Sequence, residues 1–150
     1  MSLFSRRRAG TAETAAPDVA RALVAPAYLV MRCDGAVGEA ELARLAELCR
    51  FSPIIGRLDG GAVEGLLRSV AADFEARGAN AVMNEAVDAL PPALRETAMA
   101  FAIGVALADG DTGEDEQRLL MGLSRHMELP DELTDAIFSV MVILQRPAAA

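Results

Sequence analysis

The sequence predicts an all-α fold, a single-domain bundle of about seven helices built around two related helical hairpins, and three observations lead there. The first is a repeat. Asp34-Gly35-Ala36-Val37-Gly38-Glu39-Ala40-Glu41 returns 75 residues later as Asp109-Gly110-Asp111-Thr112-Gly113-Glu114-Asp115-Glu116, and residues 25–50 match 100–125 at eleven of 26 positions. Chance would give about two, so the two halves share a unit of structure. The second is composition: 53% of the residues are apolar but only 4% are aromatic, and abundant Ala, Leu and Val let helices pack closely on helices. The third is periodicity, because apolar residues recur at helical rather than strand spacing. At 150 residues the chain makes one ordinary domain with ample material for a core.

Residues 1–16, rich in Arg, Ala, Thr and Gly, read as a low-order leader, and the folded domain is expected over 17–146. The first helix begins at Pro17-Asp18, where proline suits the first turn and aspartate the positive end of the helix dipole. It carries Val19, Leu23, Ala27, Val30 and Met31 at helical spacing. Pro26 removes a backbone donor inside this run and is expected to kink or break it; its counterpart in the second copy is Phe101. Residues 38–51 form the second arm, with Leu42, Leu45, Leu48 and Cys49 inward and Arg44, Glu47 and Arg50 outward. It stops before Ser52-Pro53. Residues 54–58 read as a short turn of helix, which would bring the count to eight, and Asp59-Gly60-Gly61 breaks the chain again.

Residues 62–76, with Val63, Leu66, Leu67, Val70 and Phe74 on one face, and residues 79–90 give two further helices, ended by Gly78 and by Pro91-Pro92. The segment 93–108 opens the second copy. It is apolar nearly all round from Ala98 onward, which places it at the centre of the bundle. Residues 114–127 present Leu119, Leu120, Leu123 and Met127. Leu129-Pro130-Asp131 then leads into a last helix reaching about Gln145, with Leu133, Ile137, Val140, Met141 and Leu144 inward.

The net charge of −8 conceals an asymmetry, since Arg6, Arg7 and Arg8 lie in the leader and the remainder sums to about −11. An acidic body repels phosphate backbones, so nucleic acid is not an expected partner, and the arginine triplet reads as a solubilising leader. No secretory h-region is visible near the start. The longest apolar runs, 98–108 and 136–144, fall short of the roughly 20 residues of a membrane helix. A cytoplasmic protein without a transmembrane segment is expected. Cys33 and Cys49 should stand about 15 Å apart along the hairpin at 1.5 Å per residue, too far to bridge. With Ala108 and Ser124 as repeat partners, both read as reduced, mostly buried packing residues.

The candidate chemistry lies in the two acidic turns. A helix ending at Asp34, a glycine free to adopt the left-handed conformation, and Glu41 seven residues on bring two carboxylates to one concavity, and Asp109, Gly110 and Glu116 repeat the arrangement. Oxygen donors in a turn suit a hard divalent cation, calcium or magnesium before others. Asp34, Glu41, Asp109 and Glu116 are the expected metal ligands, with Glu39, Asp111 and Glu114 as auxiliaries. The spacing matches the latter half of an EF-hand loop, but its first and third ligand places fall on Val30 and Arg32, or on Val105 and Leu107, none of which supplies an oxygen in that role. An EF-hand is excluded. The alternative is that Gly35 and Gly110 only end helices, while Glu41 and Glu116, at about the third helical position, cap free backbone amides.

The inventory argues against catalysis. His126 is the sole histidine, and Leu123 stands where a Glu-x-x-His motif needs its glutamate. Two separated cysteines and one histidine cannot make a zinc cluster, and there is neither a Gly-x-Ser-x-Gly elbow nor a phosphate-binding glycine loop. The protein is expected not to be an enzyme.

Two Asp-Gly…Glu hairpins in an Ala-rich helical domain of this size resemble the TerB-like proteins of bacterial tellurite resistance, to which the N-terminal domains of some membrane-anchored J-domain co-chaperones are related. The resemblance covers residues 19–144, with Asp34-Gly35…Glu41 and Asp109-Gly110…Glu116 as the matching motifs. It implies an all-helical cytoplasmic domain with pseudo-twofold symmetry, acidic patches that bind divalent cations, and work in a membrane-associated stress-response complex without enzymatic activity. Pro26, and Thr112 where an aliphatic residue is usual, depart from the pattern and make the two turns unequal. The competing function is a helical protein–protein adaptor that docks a partner through 136–144, its acidic turns being structural caps.

Overall fold

Helix signals account for every element among the described residues, 17–110 and 112–148 of this computed structural model, and no strand occurs among them. The order is α1 (Pro17–Met31), α2 (Glu39–Phe51), α3 (Gly60–Arg77), α4 (Ala79–Ala89), α5 (Pro92–Ala106), α6 (Glu114–His126) and α7 (Asp131–Leu144). The leader expected over 1–16 lies outside the described residues, as does Asp111. Both ends of α5 fall 75 residues after those of α1, and both ends of α6 fall 75 residues after those of α2.

The core forms where two small-residue helices meet. α1 packs most extensively on α5, and both helices carry fully buried alanines, Ala27 on α1 and Ala98 and Ala102 on α5. Alanines let the axes approach, and Leu23, Val30, Met99 and Ile103, also inaccessible, fill the layers above and below. Each such aliphatic residue removed from water contributes about 1.5–3 kcal/mol. Around this pair, α3 and α4 cover α1, while α2 and α7 cover α5. As the sequence implied for an apolar helix, α5 is buried from Ala98 to Ala106 except at Ala100.

Several expectations are corrected. Pro26 does not break α1, which runs through it as one helix, and the ring is itself fully buried; of the kink or break expected there, the break is absent. Residues 54–58 form successive turns rather than a helix. Ser52 Oγ accepts from the amides of Ile54 and Ile55 at 3.2 and 3.3 Å, and Ile55 plugs the core with no exposure. Gly56 is required there, because a Cβ would lie 2.4 Å from the Arg50 carbonyl oxygen. Leu42, expected inward, is 42% exposed. In α7, Met141 and Thr134 are the buried residues, so Val140 and Leu144, expected inward, instead stand 53% and 67% exposed beside Ile143. The helix meets the body along a single stripe, and these residues fall outside it.

Candidate functional site: two acidic turns at one end

The two turns are built by the same local bonds. After α1, the amides of Arg32, Cys33 and Gly35 donate to the carbonyls of Tyr28, Val30 and Arg32; after α5, those of Leu107, Ala108 and Gly110 donate to Ile103, Val105 and Leu107. Gly35 and Gly110 have φ of +91° and +99°, the left-handed region that side-chain-bearing residues rarely adopt. The chain then extends and re-enters a helix through Gly38 and Gly113, each in extended conformation. Free amides at that entry are met by the glutamates. Gly38 N–H donates to Glu41 Oε2 at 2.9 Å, and Gly113 N–H donates to Glu116 Oε2 at 3.1 Å. Each is the backward half of a capping box, with glycine supplying no side chain of its own.

The turns face each other crosswise. Glu41 is buried at 7% exposure, and its carboxyl is raised above the ordinary 4.5 first by that burial, against the lowering bond from Gly38, and then by the negative charges of Asp109, Asp34 and Glu116. The thiol of Cys33 is likewise pushed up, by burial and then by Glu116, Asp115, Asp34 and Glu41. One turn thus lies within the field of the other, and the four principal carboxylates share one end of the molecule. Cys33 belongs to this end. Expected to be buried, it is exposed, because α1 stops at Met31 and leaves it in the turn; its position immediately before Asp-Gly was the available signal. Cys49 is buried as expected.

Asp34 and Asp109 are exposed at the tips of their turns. Of the auxiliaries, Glu39 is exposed at the start of α2, Glu114 pairs with Arg118 at 3.5 Å, and Asp111 is outside the described residues. Arg118 also meets Asp115 at 3.2 Å. Among the described residues no group of three or more His, Cys, Asp or Glu side chains is arranged to hold a metal ion. The carboxylates are gathered but do not converge into a cage, since Glu41 and Glu116 each turn an oxygen back to their own helix entry.

An acidic, all-helical domain whose two Asp-Gly…Glu turns meet at one end is the class defined by this fold and site. Residues 20–137 match the model of the family described as Tellurite resistance protein TerB, and the chain belongs to that family. No curated protein matches it, and no solved structure does. No helix among the described residues is long and apolar enough to cross a membrane.

Proposed function

We propose that this protein works in tellurite-type stress resistance as a non-enzymatic module, and that its paired turns attract a divalent cation as one shared site. The observation that carries the reading is the crosswise approach of the turns, which leaves Glu41 within the field of Asp34, Asp109 and Glu116. A divalent cation placed between the tips would relieve that repulsion. Calcium and magnesium are the ions whose oxygen preference fits, with waters completing the coordination that two exposed aspartates and two capped glutamates leave open. Glu39, Asp111 and Glu114 would add charge rather than direct ligation. Such a site is weak and responsive to cation level. Assembly with a membrane-associated stress-response complex in the cytoplasm is part of the same reading.

Calorimetric titration of calcium, magnesium, manganese and zinc into the metal-free full chain tests it, alongside the Asp34→Asn/Asp109→Asn double variant. One equivalent of calcium or magnesium should bind the parent and raise its melting temperature by linkage, and the double variant should lose both effects. No heat at millimolar cation, or equal binding by the variant, would sink the cation reading. A second reading then takes over, favoured by the exposure of Val140, Ile143 and Leu144 on α7: a helical adaptor that docks a partner on that face, with both turns serving only as caps.

A further inference from the structure

The face that α7 turns away from the body changes character along its length. Glu132, Ala136, Ser139 and Ile143 follow one another at helical spacing, flanked by Asp131 and Asp135 on one side and by Val140 and Leu144 on the other, and all are exposed. The first half is acidic, the middle is small, and the last half is apolar, with Val140, Ile143 and Leu144 the exposed aliphatic residues. α7 contains no basic residue. None of its three acids is ion-paired among the described residues. Asp131 and Glu132 lie in the first turn, where the helix dipole favours them; Asp135 lies beyond the reach of that effect.

A segment that complements this face is apolar at one end and basic at the other. Leu3-Phe4-Ser5-Arg6-Arg7-Arg8 has that order and holds the only run of arginines in the chain. The spans agree as well. Ile143 and Asp135 stand about 12 Å apart along the helix at 1.5 Å per residue, and in an extended segment Phe4 and Arg8 stand about 13 Å apart, with Arg6 between them on the same side. Arg146 follows the apolar end of α7, so the arginines are favoured at the other end and the segment runs antiparallel to the helix.

The route is short. Asp18 near the start of α1 and Ala89 at the end of α4 line one cleft. Arg95 of α5 donates to the Val87 carbonyl of α4 and to the Met127 carbonyl that follows α6, and α7 begins soon afterwards at Asp131. The start of α1 and the acidic start of α7 therefore share one end of the molecule, joined through the α4–α5 corner. The chain from Pro17 back to Arg8 reaches about 30 Å when extended, enough to cross that end.

We propose that residues 3–8 of this chain dock antiparallel along the exposed face of α7, with Phe4 over Val140 and Ile143 and the arginines beside Glu132 and Asp135. The small side chains of Ala136 and Ser139 let the segment lie close to the helix. Because the tether holds segment and face at an effective concentration on the order of millimolar, exposed ion pairs of modest strength suffice. A partner that uses this face has to displace the segment, and its apparent affinity falls by the fraction of time the face is covered. The contact does not depend on cation binding at the turns.

The test places a nitroxide spin label on Ser5→Cys in the full chain, with Cys33→Ser removing the exposed thiol and buried Cys49 left in place. In backbone amide NMR, residues 132–144 should broaden selectively while both acidic turns keep their intensity. Two further variants remove one half of the contact each: Arg6→Ser/Arg7→Ser/Arg8→Ser and Val140→Ser/Ile143→Ser. Each should weaken the broadening by about threefold or more and leave the melting temperature within a few degrees of the parent, since Val140 and Ile143 are exposed. Uniform broadening, broadening centred on residues 34–41 and 109–116, or an unchanged pattern in either variant overturns the proposal. Broadening of residues 132–144 in isotope-labelled chains mixed with separate spin-labelled chains would overturn it too, assigning the face to a second copy.

Discussion

Replacing Glu41 by glutamine and, separately, by alanine pulls apart the two roles that its carboxylate combines. Glutamine keeps an oxygen where the Gly38 amide donates at 2.9 Å; alanine does not. A helix-entry amide left without its partner in this part-buried position costs about 1 kcal/mol, which for a chain of this length lowers the melting temperature by roughly 3 °C. The charge has a different signature. Burial and the neighbouring acids raise the folded carboxyl above the ordinary 4.5, so the unfolded chain gives up this proton first. The stabilising contribution is therefore fully present below the unfolded value and is lost as pH rises through the higher folded one. Thermal melts followed by circular dichroism from about pH 4 to about pH 8 should show the parent losing stability relative to Glu41→Gln as pH rises across that window. At neutral pH Glu41→Gln should melt at or above the parent, and Glu41→Ala about 3 °C below the glutamine variant. Equal losses in the two variants would refute the cap, and parallel pH profiles for parent and Glu41→Gln would refute the raised carboxyl.

Maleimide labelling of the folded chain should modify Cys33, which is exposed, more slowly than a free cysteine because its thiol is pushed up. Cys49, fully buried and with its thiol raised to about 11, should react only in denaturant; rapid native labelling of Cys49 would show that α2 is wrongly packed. Two glycine-to-alanine changes should have opposite signs. Gly122→Ala meets open space and should stabilise by about 0.5–1 kcal/mol through helix propensity, whereas Gly104→Ala must displace Met141 and Leu48 at about 1–3 kcal/mol, enough to outweigh the same gain. Urea denaturation decides both, and a stabilised Gly104→Ala would mean that those side chains do not meet over the backbone as described.

What was legible in the sequence was what neighbours along the chain determine. Asp59 accepts from the Ala62 amide at 2.8 Å at the entry to α3, Gly78 sits at φ +81° between α3 and α4, and the glycines of both acidic turns take the conformation only glycine favours; each is settled within four residues. The misread residues depend on what stands opposite. Val140 and Leu144 have the same spacing from Met141 whether one neighbour covers α7 or two, and only the packing shows that one stripe is covered. Pro26 carries a local cost that is read correctly, yet a helix buried on most sides continues past it. Cys33 resembled its repeat partner Ala108 in being small, but the helix that would have buried it ends two residues earlier.

The acidic turns show the same limit within a single side chain. A glutamate at the third helical position can turn an oxygen to its own helix entry or present it to a cation, and both uses need the same residue at the same spacing. In the folded chain Glu41 and Glu116 each commit Oε2 to the cap, Glu41 is buried, and Asp34 and Asp109 stand exposed at the tips. The cap ties one oxygen of each glutamate to its own helix entry. A turn that positions its glutamates in this way needs no cage to concentrate charge, because α1 and α5, packed through alanines, bring the two turns within one another's field. That closeness comes from the core, and no motif read along the chain contains it.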